Sequence, residues 1–171
     1  MSILIANTND IPAIVTLLDS AYRGEGSKAG WTSEADLFIG NKRTDDDRIR
    51  ESMNIPGAVF LKYLNEQKLI TGCVFLQKKE SKLYLGMLSV SPTAQAKGIG
   101  KKLLNAAEEH ARKINCSLIF MTVISIRQEL IDWYERHGYS KTGKTLPFPI
   151  EESSSRPKET LEMIVLEKQV L

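Results

Sequence analysis

The chain has 171 residues, 42% hydrophobic and 26% charged, and its 23 basic and 21 acidic side chains leave a formal net charge of +2. That length builds one core without disulfides or metals, so a single domain over residues 1–171 is expected. Balanced charge leaves no nucleic-acid footprint, two cysteines and two histidines are too few for a structural zinc site, and no apolar run reaches membrane-spanning length. Cytoplasmic residence is therefore the default expectation, with no metal, nucleic acid or membrane as partner.

Residues 3–6 form a short apolar strand pattern without the basic start of a secretory leader. Asp10 is placed to cap a helix whose apolar residues Ile11, Ile14, Val15, Leu18 and Tyr22 recur at helical spacing as far as Gly24. Residues 24–40 read as a loop rich in Gly, Ser and charge, and Thr44 with Asp47 marks a second short helix through about Met53. Residues 58–64, 68–77 and 82–90 read as three strands of an antiparallel meander. Lys78, Lys79 and Lys82 flank its second turn, which is the ordinary reading of that basic cluster. Cys73 and Cys116 lie inside apolar runs and read as core thiols.

From residue 98 to 114 the pattern turns helical, with Ile99, Leu103, Ala107, His110, Ala111 and Ile114 on one face and Lys101, Lys102, Glu108, Glu109 and Arg112 on the other. The nearly all-apolar run 117–124 fits a strand covered on both faces, which makes a right-handed parallel crossover. Ser125 with Gln128 forms a capping box for a helix to His137, stopped by Gly138. That helix carries Ile126, Leu130, Ile131, Trp133 and Tyr134 inward. Residues 139–146 and 160–168 complete the sheet, joined by an exposed Pro- and Ser-rich connection.

Chemistry concentrates where the third strand of the meander turns into the long helix, at Gln95, Ala96, Lys97, Gly98, Ile99, Gly100 and Lys101. The first amides of a helix lack intrahelical partners and sit at the positive end of its dipole, so they can hold a phosphate. Gly98 and Gly100 leave no Cβ in the way, and Lys97, Lys101 and Lys102 add positive charge; the plain alternative is an ordinary helix start. A Walker loop is excluded because Gly100 is followed by Lys101 and Lys102 without Ser or Thr, and a dinucleotide fingerprint because position 103 is Leu.

Gln95, Gly98 and Gly100, following a strand that ends Leu88-Ser89-Val90, resemble the signature of the GNAT superfamily of N-acetyltransferases. The resemblance extends to the order of elements along essentially the whole chain. It implies an α/β fold with a mixed, mostly antiparallel sheet of about six to seven strands, splayed at its middle and flanked by about four helices. It also implies acetyl-CoA as co-substrate, a primary amine of a small molecule or peptide as acceptor, and direct transfer in a ternary complex. The amides from Gln95 to Lys101 would hold the CoA pyrophosphate, Val90 would pair with the pantetheine arm, and Leu88 N–H would face the thioester carbonyl. Gly86 would permit the bulge that opens the sheet.

In the same resemblance Tyr134 is the acid that protonates the departing sulfur; a phenol near pKa ~10 and a thiol near ~8.5 are matched for that transfer. Its alternative reading is a core tyrosine. Arg127 stands where the family often has an Asn beside the pantetheine arm. No acidic residue occurs in strand 82–90, where many members carry a Glu base, and Glu34 and Asp36 are the nearest substitutes, as base or as partners for a cationic acceptor. Ser33 capping a solvated helix start is their plain reading. Tyr22, Arg23, Trp31 and Tyr84 would shape the acceptor pocket. A non-catalytic acyl-CoA sensor is the alternative function, and exposed strand edges leave a homodimer open.

Overall fold

The computed structural model describes residues 2–22, 33–39, 43–150 and 156–171. Its strands are β1 (Ser2–Ile5), β2 (Phe38–Ile39), β3 (Ala58–Leu64), β4 (Ile70–Lys79), β5 (Lys82–Val90), β6 (Leu118–Ile124), β7 (Ser140–Pro147), β8 (Arg156–Pro157) and β9 (Glu162–Gln169). The helices are α1 (Ile11–Tyr22), α2 (Asp46–Met53), α3 (Ile99–Lys113) and α4 (Gln128–Arg136). Seven strands form one sheet in the order β1-β3-β4-β5-β6-β9-β7, all neighbours antiparallel except β5 and β6. This is the mixed, mostly antiparallel α/β architecture expected from the sequence. Among the described residues no helix is long and apolar enough to cross a membrane.

Alternation along the central strands divides the core. Leu61, Val74 and Leu76 face α3 and α4, while Phe60, Cys73 and Phe75 face α1 and α2. Successive side chains of a strand point to opposite faces, so the unbroken apolar stretch from Cys73 to Leu76 is what a strand covered on both sides requires. Both cysteines are free and buried within these layers.

Three helix starts differ from the sequence reading. Asn7, rather than Asp10, is the first cap: its side chain accepts from Asn9 N–H, and Asp10 accepts from Asn7 N–H at 2.9 Å. A short 3-10 turn at Thr8–Asp10 shifts the cap upstream and frees the Asp10 carboxylate to pair with Lys62 at 2.8 Å. The cap of α2 is Asp45, whose carboxylate accepts from Arg48 N–H at 2.9 Å, so Thr44 and Asp47 form no box. In α4 the cap position is Arg127 and no side chain caps it; Gln128 turns along the helix to Asp132 instead. Ile126 is exposed rather than inward because it precedes the first turn.

The small ribbon of β2 and β8 was invisible in the sequence, since two-residue strands carry no periodicity. It replaces part of the expected loop and part of the expected open connection. Beside it Phe148 packs on Phe38 with ring centroids 5.3 Å apart.

The feature that shapes the site is the short partnership of β5 with β6. Only Lys82, Leu83 and Tyr84 pair with β6, and beyond them the two strands separate. Across β4 the ladder steps from Phe75 opposite Gly86 to Cys73 opposite Ser89, so Met87 and Leu88 share the place of one residue. The bulge rests on Met87, which adopts φ 53°, rather than on Gly86. Gly86 serves another purpose: a Cβ there would meet the Tyr84 ring at 2.8–2.9 Å.

Helix α3 approaches the sheet at Gly72 on β4, where an added Cβ would lie 2.8 Å from Ile99 Cγ2 and 3.1 Å from Leu103 Cδ1. Ile99 is the first residue of α3, so this contact sets where the helix begins relative to the sheet. Gly72→Ala is expected to lower the unfolding free energy by about 1–3 kcal/mol through overpacking. Urea titration followed by far-ultraviolet circular dichroism measures it; an unchanged midpoint would mean that α3 is not seated by this glycine.

Candidate active site

The turn after β5 is built by main-chain bonds and one side chain. Ser91 N–H donates to Thr71 C=O at 2.9 Å, Ala94 N–H to Ser91 C=O at 2.8 Å, and the Gln95 amide to Val90 C=O at 3.1 Å. Ala96 and Gly98 then take φ 67° and 76°, and α3 begins. The bond from Lys102 N–H to Gly98 C=O, 3.1 Å, closes the first turn, which places the amides of Ile99, Gly100 and Lys101 at the open helix end. Left-handed residues followed by a helix start form a concave run of donors suited to an anion.

The two glycines have different duties. Gly98 needs its positive φ, and a Cβ there would meet nothing within 4 Å. At Gly100 the space is taken by the protein itself, because a Cβ would lie 3.1–3.3 Å from the Trp133 ring. Gly100 thus has a packing role beside the one expected of it at the turn. Among the lysines, Lys101 borders the cleft beside the turn, whereas Lys97 and Lys102 border a separate hollow next to Tyr63.

That cleft, about 470 Å³, runs between Leu88, Ser89 and Val90 on β5 and Leu130, Trp133, Tyr134 and His137 on the α4 side. Ile99, Gly100 and Gln95 close its end at the turn. Trp133, read from sequence as core, lies against Gly100 and His137 in the cleft wall, its ring 4.2 Å from the His137 ring.

A second cavity of about 220 Å³ lies where β5 and β6 diverge, lined by Tyr84, Gly86, Thr122, Val123 and Phe148 among others. Both spaces are bordered by Tyr22, Leu88, Arg127, Leu130 and Tyr134. The junction therefore holds an aromatic hydroxyl, the bulged strand and a guanidinium. Tyr22 donates its hydroxyl hydrogen to the carbonyl of Leu88, which ties α1 to the bulge.

Tyr134 is 4% exposed and is held edge-on by Trp133 and Tyr139, with ring centroids at 5.1 and 5.9 Å. Its carbonyl accepts from Tyr139 N–H at 3.1 Å past Gly138, which takes φ 94°. Burial pushes its phenol well above the usual 10.0. Burial also raises Tyr22, against the lowering pull of Arg127 and Arg43. The Cys73 thiol, enclosed between the sheet and α1, is pushed up to about 12.

Glu34 is not on a solvated helix start. Ser33 Oγ accepts from Ala35 N–H at 3.1 Å, but the cap position of the short turn is Glu34, which makes no side-chain cap bond, is 5% exposed and borders the second cavity. Its main-chain N–H donates to Tyr22 C=O at 3.0 Å, which fixes the segment to the end of α1. Its carboxylate bonds Arg127 Nη1 at 3.2 Å and lies 3.8 Å from Arg43 Nε. Asp36 is exposed and borders neither cavity, so the two acids do not act together. Tyr22 and Tyr84 line the second cavity, whereas Arg23 and Trp31 lie outside the described residues.

Sequence reasoning missed Arg43, Trp133, Arg136, His137 and Phe148 as wall residues. The spacing of Leu130, Trp133, Tyr134 and His137 along one stripe of α4 and its C-cap could have shown two of these, Trp133 and His137. Arg43 and Phe148 have no such signal, because they come from irregular segments far apart in the chain.

Residues 17–139, most of the chain, match the family model described as "Acetyltransferase (GNAT) family". A curated relative, Acetyltransferase Atu2258 from Agrobacterium fabrum (strain C58), is 31% identical over 83 residues, covering 48% of this chain and 59% of that protein. The chain thus spans less than two thirds of that relative's length. Among solved structures, yncA from Salmonella typhimurium with its cofactor acetyl-CoA superposes with TM-score 0.69 at 19% identity, covering 100% of this chain and 94% of the other. The ribosomal-protein-S18-alanine N-acetyltransferase of Escherichia coli does so with TM-score 0.70 at 14% identity, covering 99% and 93%. These likenesses show the fold. The chain belongs to the acetyltransferase (GNAT) family.

The two glycines of the turn should respond differently to alanine. Gly98→Ala is expected to cost about 1–2 kcal/mol in stability from its left-handed backbone, with tryptophan emission unaltered. Gly100→Ala should instead shift the emission of Trp133 by pressing on its ring. Denaturant titration read by fluorescence separates them, and identical spectra would show that Gly100 does not seat Trp133.

Proposed function

We propose that this protein is an N-acetyltransferase that moves the acetyl group of acetyl-CoA to a primary amine of a small molecule or peptide, within one domain over residues 1–171. The observation that carries the reading is the meeting of two cavities at Tyr134 and Leu88, one ending at an open helix terminus and the other enclosed in the splayed sheet. The turn fits a diphosphate by its left-handed residues and the open amides of α3. Gln95, Ala96, Lys97, Gly98, Ile99, Gly100 and Lys101 would hold it through the main chain, and Val90 and Arg127 would border the pantetheine arm. Acetyl-CoA supplies the acetyl group already activated as a thioester.

The chain's own residues then have separable tasks. Leu88, at the bulge, would offer its N–H to the thioester carbonyl oxygen, a donor of the kind that stabilises developing negative charge. Tyr134 keeps its proton because burial raises its pKa, so it suits donation to the departing sulfur and not proton abstraction. Direct attack by the amine is favoured over an acyl-enzyme, since the Cys73 thiol is enclosed and hard to ionise. Among the described residues Glu34 is the only carboxylate bordering the acceptor cavity, and its two guanidinium contacts make it a counter-ion; water is left to carry away the amine proton.

Tyr134→Phe is expected to lower kcat by about 10²-fold or more while the acetyl-CoA Kd stays nearly constant. Because the pKa is raised, loss of this acid by ionisation belongs only above about pH 10, so kcat should not fall from pH 7 to about 9. Stopped-time thiol release and isothermal calorimetry measure the two quantities. Equal turnover in the variant would remove Tyr134 from the reaction. Mass detection of acetylated product across an amine panel tests the activity itself, and acetyl-CoA binding without any product would favour a sensor.

A further inference from the structure

The acceptor cavity carries the opposite charge from the one its acidic residues suggested in sequence. Its charged lining residues among those described are Glu34, Arg43 and Arg127, two cations against one anion. Glu34 and Arg127 neutralise each other at 3.2 Å, with side chains 6% and 4% exposed. Arg127 has further support from Glu129 at 3.7 Å, but that carboxylate is about half exposed, screened by water and outside the cavity lining. Among the described lining residues Arg43 is then the positive charge in excess.

Arg43 is positioned rather than incidental. Its main-chain N–H and that of Thr44 both donate to the Asp19 carboxylate on α1, which borders neither cavity. The guanidinium lies 5.6 Å from the centroid of the Tyr22 ring and touches Glu34 through Nε at 3.8 Å. Its side chain is 28% exposed, partly dehydrated yet reachable. An ammonium acceptor with no other charge would meet, among the described lining residues, a carboxylate already engaged by two guanidinium groups. A carboxylate would gain a planar, two-pronged donor, the geometry a guanidinium offers best.

We propose that the acceptor is a small primary amine that also carries a carboxylate, such as an α-amino acid, with Arg43 binding the carboxylate. This rests on the acetyltransferase reading and narrows its acceptor. The cavity volume of about 220 Å³ lies below the roughly 300–1,000 Å³ of sites for drug-sized ligands, which agrees with a small molecule.

The test compares matched pairs with the full chain and acetyl-CoA: phenylalanine against phenethylamine, and methionine against 3-(methylthio)propylamine. Each kcat/KM is corrected for the unprotonated fraction of its amine at the assay pH. The acids should exceed their decarboxylated partners by on the order of tenfold. Arg43→Ala should bring the ratio to near one, Arg43→Glu should invert it, and Arg43→Lys should retain part of it. If the alanine variant fails to fold, the wild-type ratio and the lysine and glutamate variants still decide. Acetylation of the amines with no preference for the acids, or an unchanged ratio in Arg43→Ala, overturns this inference alone. Binding of acetyl-CoA without acetylation of any compound overturns the amine-acceptor reading along with it.

Discussion

β5 and β6 share three register pairs and then part, and every functional feature of the molecule is arranged around that parting. A parallel pair that separates leaves main-chain groups without ladder partners. The protein meets this locally: Met87 and Leu88 bulge, and Tyr22 donates from α1 to the Leu88 carbonyl. The opened sheet admits α4, which brings Tyr134 to the junction of both cavities. Closing the pair would remove the cleft and the second cavity together.

Around this opening the electrostatics are graded. One end is the start of α3, where main-chain hydrogens and the helix dipole supply positive potential without a buried charge. The middle is aromatic, and burial keeps the hydroxyls of Tyr22 and Tyr134 protonated. Beyond it stands the cluster of Glu34, Arg127 and Arg43, where taking ions out of water is tolerable only because they are paired. Arg127 holds its place at the head of α4 and reaches a carboxylate from a segment 93 residues earlier. The ion pair therefore also fastens the early part of the chain to the late one.

The elements with clear periodicity or continuous apolar runs, β3, β5, β6 and α3 among them, were legible because burial on one or two faces imprints a period on the residues. The turn at Gln95 to Gly100 was legible as a strand giving way to a helix across two glycines. Its inner logic was not: that Gly100 faces Trp133 depends on where α4 docks, and α4 is separated from it by a strand and two loops. Caps were displaced by one to three residues because Asn7 and Asp45 compete with neighbours of the same chemistry, and the winner depends on the backbone entering the helix.

Local pattern thus determined the order of elements, the mixed sheet and the position of a helix start open to an anion, all of which follow from spacing within about fifteen residues. The tertiary structure alone decided the charge character of the second cavity. Whether Glu34 is a free acid or a counter-ion depends on Arg43 and Arg127 arriving from distant segments, and charge acts through space, not along the chain.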